Sequence, residues 1–166
     1  MPHSYGFSIH GVNFFPELTA NSGPLLNIPG TDYTDVVGFP QGFGKTFRGK
    51  AGRVNWFHVA LPTLDLYDHG LVFLDEIQVN FQTSGTAVVS TINLHSAHRS
   101  PFFRLERITL AGDYRTRVVL NENLLFFTPP VNLTDGSLCI SILVKFGSQD
   151  SNITFTRAYA RFSTER

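Results

Sequence analysis

In residues 138–146 the apolar side chains Leu138, Ile140, Ile142, Val144 and Phe146 alternate with Cys139, Ser141, Leu143 and Lys145. A repeat of two places one set on one face of an extended chain, the mark of a half-buried strand rather than a helix. Ile77, Val79 and Phe81 alternate in the same way with Gln78, Asn80 and Gln82. Similar runs occur at 5–12, 54–61, 87–94, 102–110, 116–127 and 153–162. Two of them change phase. Phe103 and Leu105 give way to Ile108 and Leu110, and Ile153 and Phe155 to Ala158, Ala160 and Phe162. A phase change inside a strand predicts a β-bulge. Phe7, Ile9, Ile77, Val79, Phe81, Ile140, Ile142 and Val144 are the expected core. Asp75-Glu76 lies inside a strand, one side chain per face, and reads as marking its start. In 54–61 both faces carry apolar groups, which calls for a cover on each side, and 116–127 shows the same.

Gly, Pro, Asn and Asp clusters separate the runs: Asp68-His69-Gly70, Ser84-Gly85, Ser100-Pro101, Gly112-Asp113, Pro129-Pro130, Asp135-Gly136 and Gly147-Ser148. No apolar stripe of helical period is longer than a few turns. The expectation is one all-β domain over 1–166. It is a two-sheet antiparallel sandwich of jelly-roll or Greek-key type, with eight to ten strands and almost no helix. One segment breaks the rhythm: 13–42 holds four prolines and four glycines and predicts a long irregular loop.

Composition adds exclusions. The 166 residues are 42% apolar and 16% charged, which is enough for a core and excludes a disordered chain. No apolar run is long enough to span a membrane as a helix. Thirteen basic and thirteen acidic residues cancel, so nothing global steers the chain to nucleic acid or an anionic membrane. Little charge also means little repulsion between copies, and a homo-oligomer is expected, its interface including the outward face of at least one of the strands 54–61 and 116–127, among Leu125, Phe127 and their neighbours. The lone Cys139 excludes a disulfide framework and reads as a small buried filler. The first six residues show no basic or apolar signal segment, so a cytoplasmic location is expected.

The chemical candidates are few. Gly42-Phe43-Gly44-Lys45-Thr46 resembles the end of a phosphate loop, but the leading glycine is misplaced and the following glycines would break the helix that loop requires. Lys45, Arg48, Lys50 and Arg53 form a basic stretch, read as a charge-protected edge strand or as a contact for a small anion or sugar acid. His95 and His98, three apart, fall on opposite faces of a strand, and the pairs Asp32/Asp35 and Asp65/Asp68 complete no ligand set; no metal and no cofactor is expected. No hydrolase or zinc-protease motif is present. The only Trp lies in Asn55-Trp56-Phe57-His58, where it can serve as core or as a stacking platform for a sugar ring. Trp56, His58, Arg48, Lys50, Arg53, Tyr33 and Tyr67 are therefore the candidate ligand-binding residues; none is assigned a catalytic role.

The string Arg48-Gly49-Lys50-Ala51-Gly52-Arg53-Val54-Asn55-Trp56-Phe57-His58, followed by Leu61-Pro62-Thr63, resembles the signature stretch of a small family of uncharacterised bacterial single-domain β-sandwich proteins. The likeness continues into 73–81 and 141–146. The resemblance implies a sandwich and a bacterial origin, and no reaction. Three readings of function follow: a non-catalytic binding or assembly protein that self-associates, a carbohydrate-binding module, or a small β-sandwich enzyme.

Overall fold

Each alternating run contributes a strand to the computed structural model, which describes residues 3–17, 25–26, 38–62, 71–96, 99–115, 123–133 and 137–165. In chain order the strands are β1 (His3–His10), β2 (Phe15–Pro16), β3 (Leu25–Leu26), β4 (Phe39–Gln41), β5 (Gly44–Gly49) and β6 (Val54–Leu61). There follow β7 (Leu71–Ser84), β8 (Ala87–Ser96), β9 (Arg99–Leu110), β10 (Leu124–Asn132), β11 (Leu138–Phe146) and β12 (Ser151–Glu165). Nine of the twelve have six residues or more; β2, β3 and β4 are short pieces drawn from the 13–42 segment. The 3-10 turn Gly11–Asn13 is the one helical element among the described residues, so no helix there is long and apolar enough to cross a membrane.

One sheet runs β10-β7-β12-β5-β3, with β1 added beside β12 and β4 beside β5; the other runs β2-β6-β11-β8-β9, and all pairs are antiparallel. From β5 to β12 successive strands alternate between the sheets, apart from the β8–β9 hairpin. The last two strands enter the middle of each sheet. That order is a jelly roll.

The inner faces meet as the alternation requires. Ile77, Val79, Phe81, Ile140, Ile142 and Val144 are buried, while Phe7 and Ile9 pack partly exposed at the margin on β1. Phe14 stacks on Phe155 at 4.2 Å between ring centroids, and Phe47 and Phe57 close around the same ring.

Both predicted bulges are present. β12 slips register against β7 between Phe155 and Arg157, which moves its inward set from Ile153 and Phe155 to Ala158, Ala160 and Phe162. β12 changes its other partner at the same point: Ser151–Phe155 pair with β5, and Arg157–Thr164 pair with β1. The incoming chains press against its backbone there. A Cβ on Gly11 or Gly44 would collide with the Phe155 carbonyl oxygen, so both positions require glycine. In β9 the phase change falls where register slips against β8, and Arg107 adopts φ 60°, the left-handed region that is rare for a side chain of its size.

Three expectations are corrected. Asp75-Glu76 does not mark a strand start: β7 begins at Leu71, and Asp75 is the extra residue of a third bulge, where Arg161 pairs with Glu76 but Phe162 pairs with Leu74. Pro129-Pro130 is not a turn but an irregular part of β10, preceded by a cis Thr128–Pro129 bond. Of the residues expected at an interface, Leu125 and Phe127 pack against the core instead, while their neighbour Phe126 is exposed. The Asp68-His69-Gly70 and Asp135-Gly136 turns, the pairs Asp32/Asp35 and Asp65/Asp68, His98, 116–122 of the 116–127 run, and 18–24 and 27–37 of the irregular segment lie outside the described residues.

A candidate binding site on the five-stranded sheet

With Phe57, Val59 and Leu61 turned into the core, the pleat of β6 sends Trp56, His58 and Ala60 to the outer face. The alternation of β11 likewise sends out Cys139 and Ser141 once Leu138, Ile140 and Ile142 are buried. This corrects the reading of Cys139 as a small buried filler: it is only half-buried, on the outer face. Register then joins residues that are distant in sequence. Phe15, His58, Ser141, Asn93 and Arg104 are successive cross-strand partners and make one row across all five strands. Ala60, Cys139 and His95 make a second row beside it.

A concavity of about 360 Å³ lies over these rows, lined by Trp56, His58, Asn93, His95, Cys139 and Ser141, with Glu17 at its rim. Glu17 is fixed there by its backbone N–H, which donates to the Trp56 carbonyl at 2.7 Å. Its carboxylate lies 3.7 Å from His58 Nε2, and His58 Nδ1 is 2.8 Å from Ser141 Oγ. With the imidazole proton on Nε2 facing the carboxylate, Nδ1 is an acceptor and Ser141 donates to it. Phe15 leans on the same ring at 5.5 Å.

Burial holds His58 below the ordinary histidine range. Glu17 pulls its pKa back up, and nearby His95 adds to the lowering. Burial and then the Arg104 charge lower His95 as well. Both imidazoles are therefore neutral at pH 7. Burial also raises the Cys139 thiol, which keeps it protonated. The wall is thus uncharged apart from Glu17, and Arg104 beyond the edge is engaged by Glu106 at 3.0 Å.

One buried polar atom of the lining has no partner among the described residues. Asn93 is 6% exposed, and its Oδ1 is buried without a hydrogen bond. Leaving such an oxygen unpaired costs about 1–3 kcal/mol. Gln78, Asn80 and Asn123 also carry buried atoms without a partner among the described residues, and what distinguishes Asn93 is its place in the lining of this concavity.

Of the residues singled out in the sequence, Trp56 and His58 come together in this concavity. Arg48, Lys50 and Arg53 do not join them. Arg48 is on β5 of the other sheet, 3.4 Å from Asp150, while Lys50 and Arg53 are exposed in the β5–β6 connection. Nor is the basic stretch an edge strand: β5 is paired with β12 on one side and with β3 and β4 on the other. Tyr33 and Tyr67 lie outside the described residues. Glu17, Asn93, His95, Cys139 and Ser141 were not anticipated as ligand-binding residues; the alternation in 138–146 marked Cys139 and Ser141 as outward, His95 was weighed only as a metal ligand, and nothing local marked Glu17 or Asn93. No three His, Cys, Asp or Glu side chains are placed to hold an ion among the described residues.

No protein-family model matches the chain, and no curated protein does.

Proposed function

We propose that the protein is a non-catalytic binding module that holds an uncharged, hydroxyl-rich ligand of the carbohydrate class over β11. The unpartnered Asn93 Oδ1 in the floor of the concavity carries this reading, because a ligand hydroxyl would supply the missing donor. The half-buried Trp56 ring offers a surface for the apolar face of a sugar, and the neutral His58 and His95 offer further hydrogen-bonding positions. Among the described residues the exposed large apolar side chains are scattered, Phe15 and Val54 on one sheet, Tyr5, Leu71 and Phe126 on the other, and Val12 and Phe43 in connections, which favours ligand binding over assembly through a single face. The test is a calorimetric titration with a panel of neutral mono- and oligosaccharides at millimolar concentration. At least one should bind saturably, and Trp56→Ala and Asn93→Ala should each weaken it tenfold or more. Absence of binding across the panel, or binding indifferent to both substitutions, rejects the reading.

A second reading takes the Ser141–His58–Glu17 line as nucleophile, base and orienting acid. It is the weaker one because Ser141 sits in mid-strand between β6 and β8, where the neighbouring backbone N–H groups are engaged in the two ladders and none is left to stabilise an oxyanion. Turnover of p-nitrophenyl acetate that vanishes in Ser141→Ala would favour it.

A further inference from the structure

The outer face of the other sheet is opened at one residue by two coincident faults. Between Arg161 and Phe162, β12 slips against β7, leaving Asp75 as the extra residue. On the opposite side β10 leaves β7 between Phe126 and Val131, so that four of its residues face the single Asp75. A bulge re-aims the side chain it carries, and β7 here loses register with both neighbours at once. A concavity of about 360 Å³ lies at this point, lined by Asp75, Arg161, Ser163, Phe126, Thr128 and Ser4 among others.

The charges of its walls are unequal. Arg161 is bound through Nη2 to the buried Glu76 at 3.3 Å, so those two charges cancel. Asp75 accepts one hydrogen bond, from Ser163 Oγ at 2.9 Å, and pairs with no cation among the described residues. It is the one uncompensated charge of the lining. Beside it Phe126 is 57% exposed, although it is a large apolar side chain. A carboxylate next to an open aromatic ring is the pairing that recognises an organic cation, through charge on one side and the ring's negative face on the other. An anion or a zwitterion would need the Arg161 charge that Glu76 already consumes.

We propose that this concavity is a second binding site, distinct from the one over β11, and that it takes an alkylammonium group. Asp75 receives the ammonium N–H groups, Phe126 covers the alkyl chain adjoining the charge, and the hydroxyls of Thr128 and Ser4 border the opening.

The test is an amide chemical-shift titration of the full chain with butylammonium chloride, alongside butanol as the uncharged comparison and Nα-acetyl-lysine methylamide as a polypeptide side chain. Butylammonium should give saturable shifts around Asp75, 126–128 and Ser163, and butanol should not. Asp75→Asn should weaken the binding tenfold or more, and so should Phe126→Ala, whose exposed ring supports no core packing. Trp56→Ala should leave it unchanged. Tighter binding of the lysine derivative than of butylammonium identifies the source as a protein side chain, and the reverse identifies a free amine. Equal response to butanol, or full affinity in both site variants, overturns the proposal.

Discussion

Asn93→Leu should make the protein more stable and abolish ligand binding over β11. The carboxamide is 6% exposed and its Oδ1 has no partner, so the fold carries a desolvation cost of about 1–3 kcal/mol at this position. Leucine has nearly the same volume, fills the space with apolar atoms and leaves nothing unsatisfied. The gain should equal that cost, about 1–3 kcal/mol, and for a chain of this size each kcal/mol is worth about 2–4 °C in Tm. Urea unfolding followed by far-ultraviolet circular dichroism, with Trp56 fluorescence as a local probe, would show a higher midpoint at an unchanged slope. The same variant should lose the saccharide affinity of the parent, because the acceptor is gone. Such a trade of stability for function is what a binding site explains and a structural polar residue does not. A variant equal to the parent or weaker would show that the oxygen is satisfied in solution, and the argument for the site would fall with it.

The two remaining predictions concern the core and pH. Phe155→Ala removes a fully buried ring that touches Phe14, Phe47 and Phe57, and should cost about 3–5 kcal/mol in denaturant unfolding; a loss under about 1 kcal/mol would mean that these rings are not the centre of the core. Because burial lowers the pKa of His58 and His95 in the folded state, the unfolded chain takes up protons first as pH falls below about 6.5, so stability present above that value is lost on acidification. Melting temperatures across this range should decline in the parent and decline less in the His58→Gln, His95→Gln double variant; identical profiles would remove the two histidines as the cause.

The strand pattern was readable because burial on one face imposes a repeat of two, and even the bulges in β9 and β12 showed as shifts of phase at 105–108 and 155–158. The third bulge carries the same mark, since Leu74 and Ile77 are three apart and would fall on opposite faces of a regular strand. It went unread because the alternation was followed only from Ile77 onward, and register shows that Asp75 is the extra residue. Pro129-Pro130 misled for a related reason: proline marks both turns and broken strands, and only pairing with β7 tells them apart. For the site, Trp56 and His58 stood out because they share one dense aromatic stretch. Asn93 and Ser141 did not, since a polar residue in mid-strand is unremarkable until cross-strand pairing sets Ser141 beside His58, 83 positions away in sequence, and Asn93 beside Ser141. Arg48, Lys50 and Arg53 misled in the opposite sense. They adjoin Trp56 along the chain, but β5 and β6 belong to different sheets, so proximity in sequence became separation in space.

The jelly-roll order also governs how the molecule can be made on a ribosome. β11 lies between β6 and β8, and β12 between β7 and the pair β5 and β1, yet both are translated after all of those strands. Until they emerge, each sheet is two separate halves with a gap where its central strand belongs. The edges of β6, β8, β7 and β5 are meanwhile open, and the apolar faces of Phe57, Val59, Phe81 and Ile92 lack the part of the opposing layer that β11 and β12 supply. Such edges pair readily with other chains. The nascent protein is therefore most prone to aggregate just before its last two strands arrive, and those two strands close both sheets and cover the core almost together.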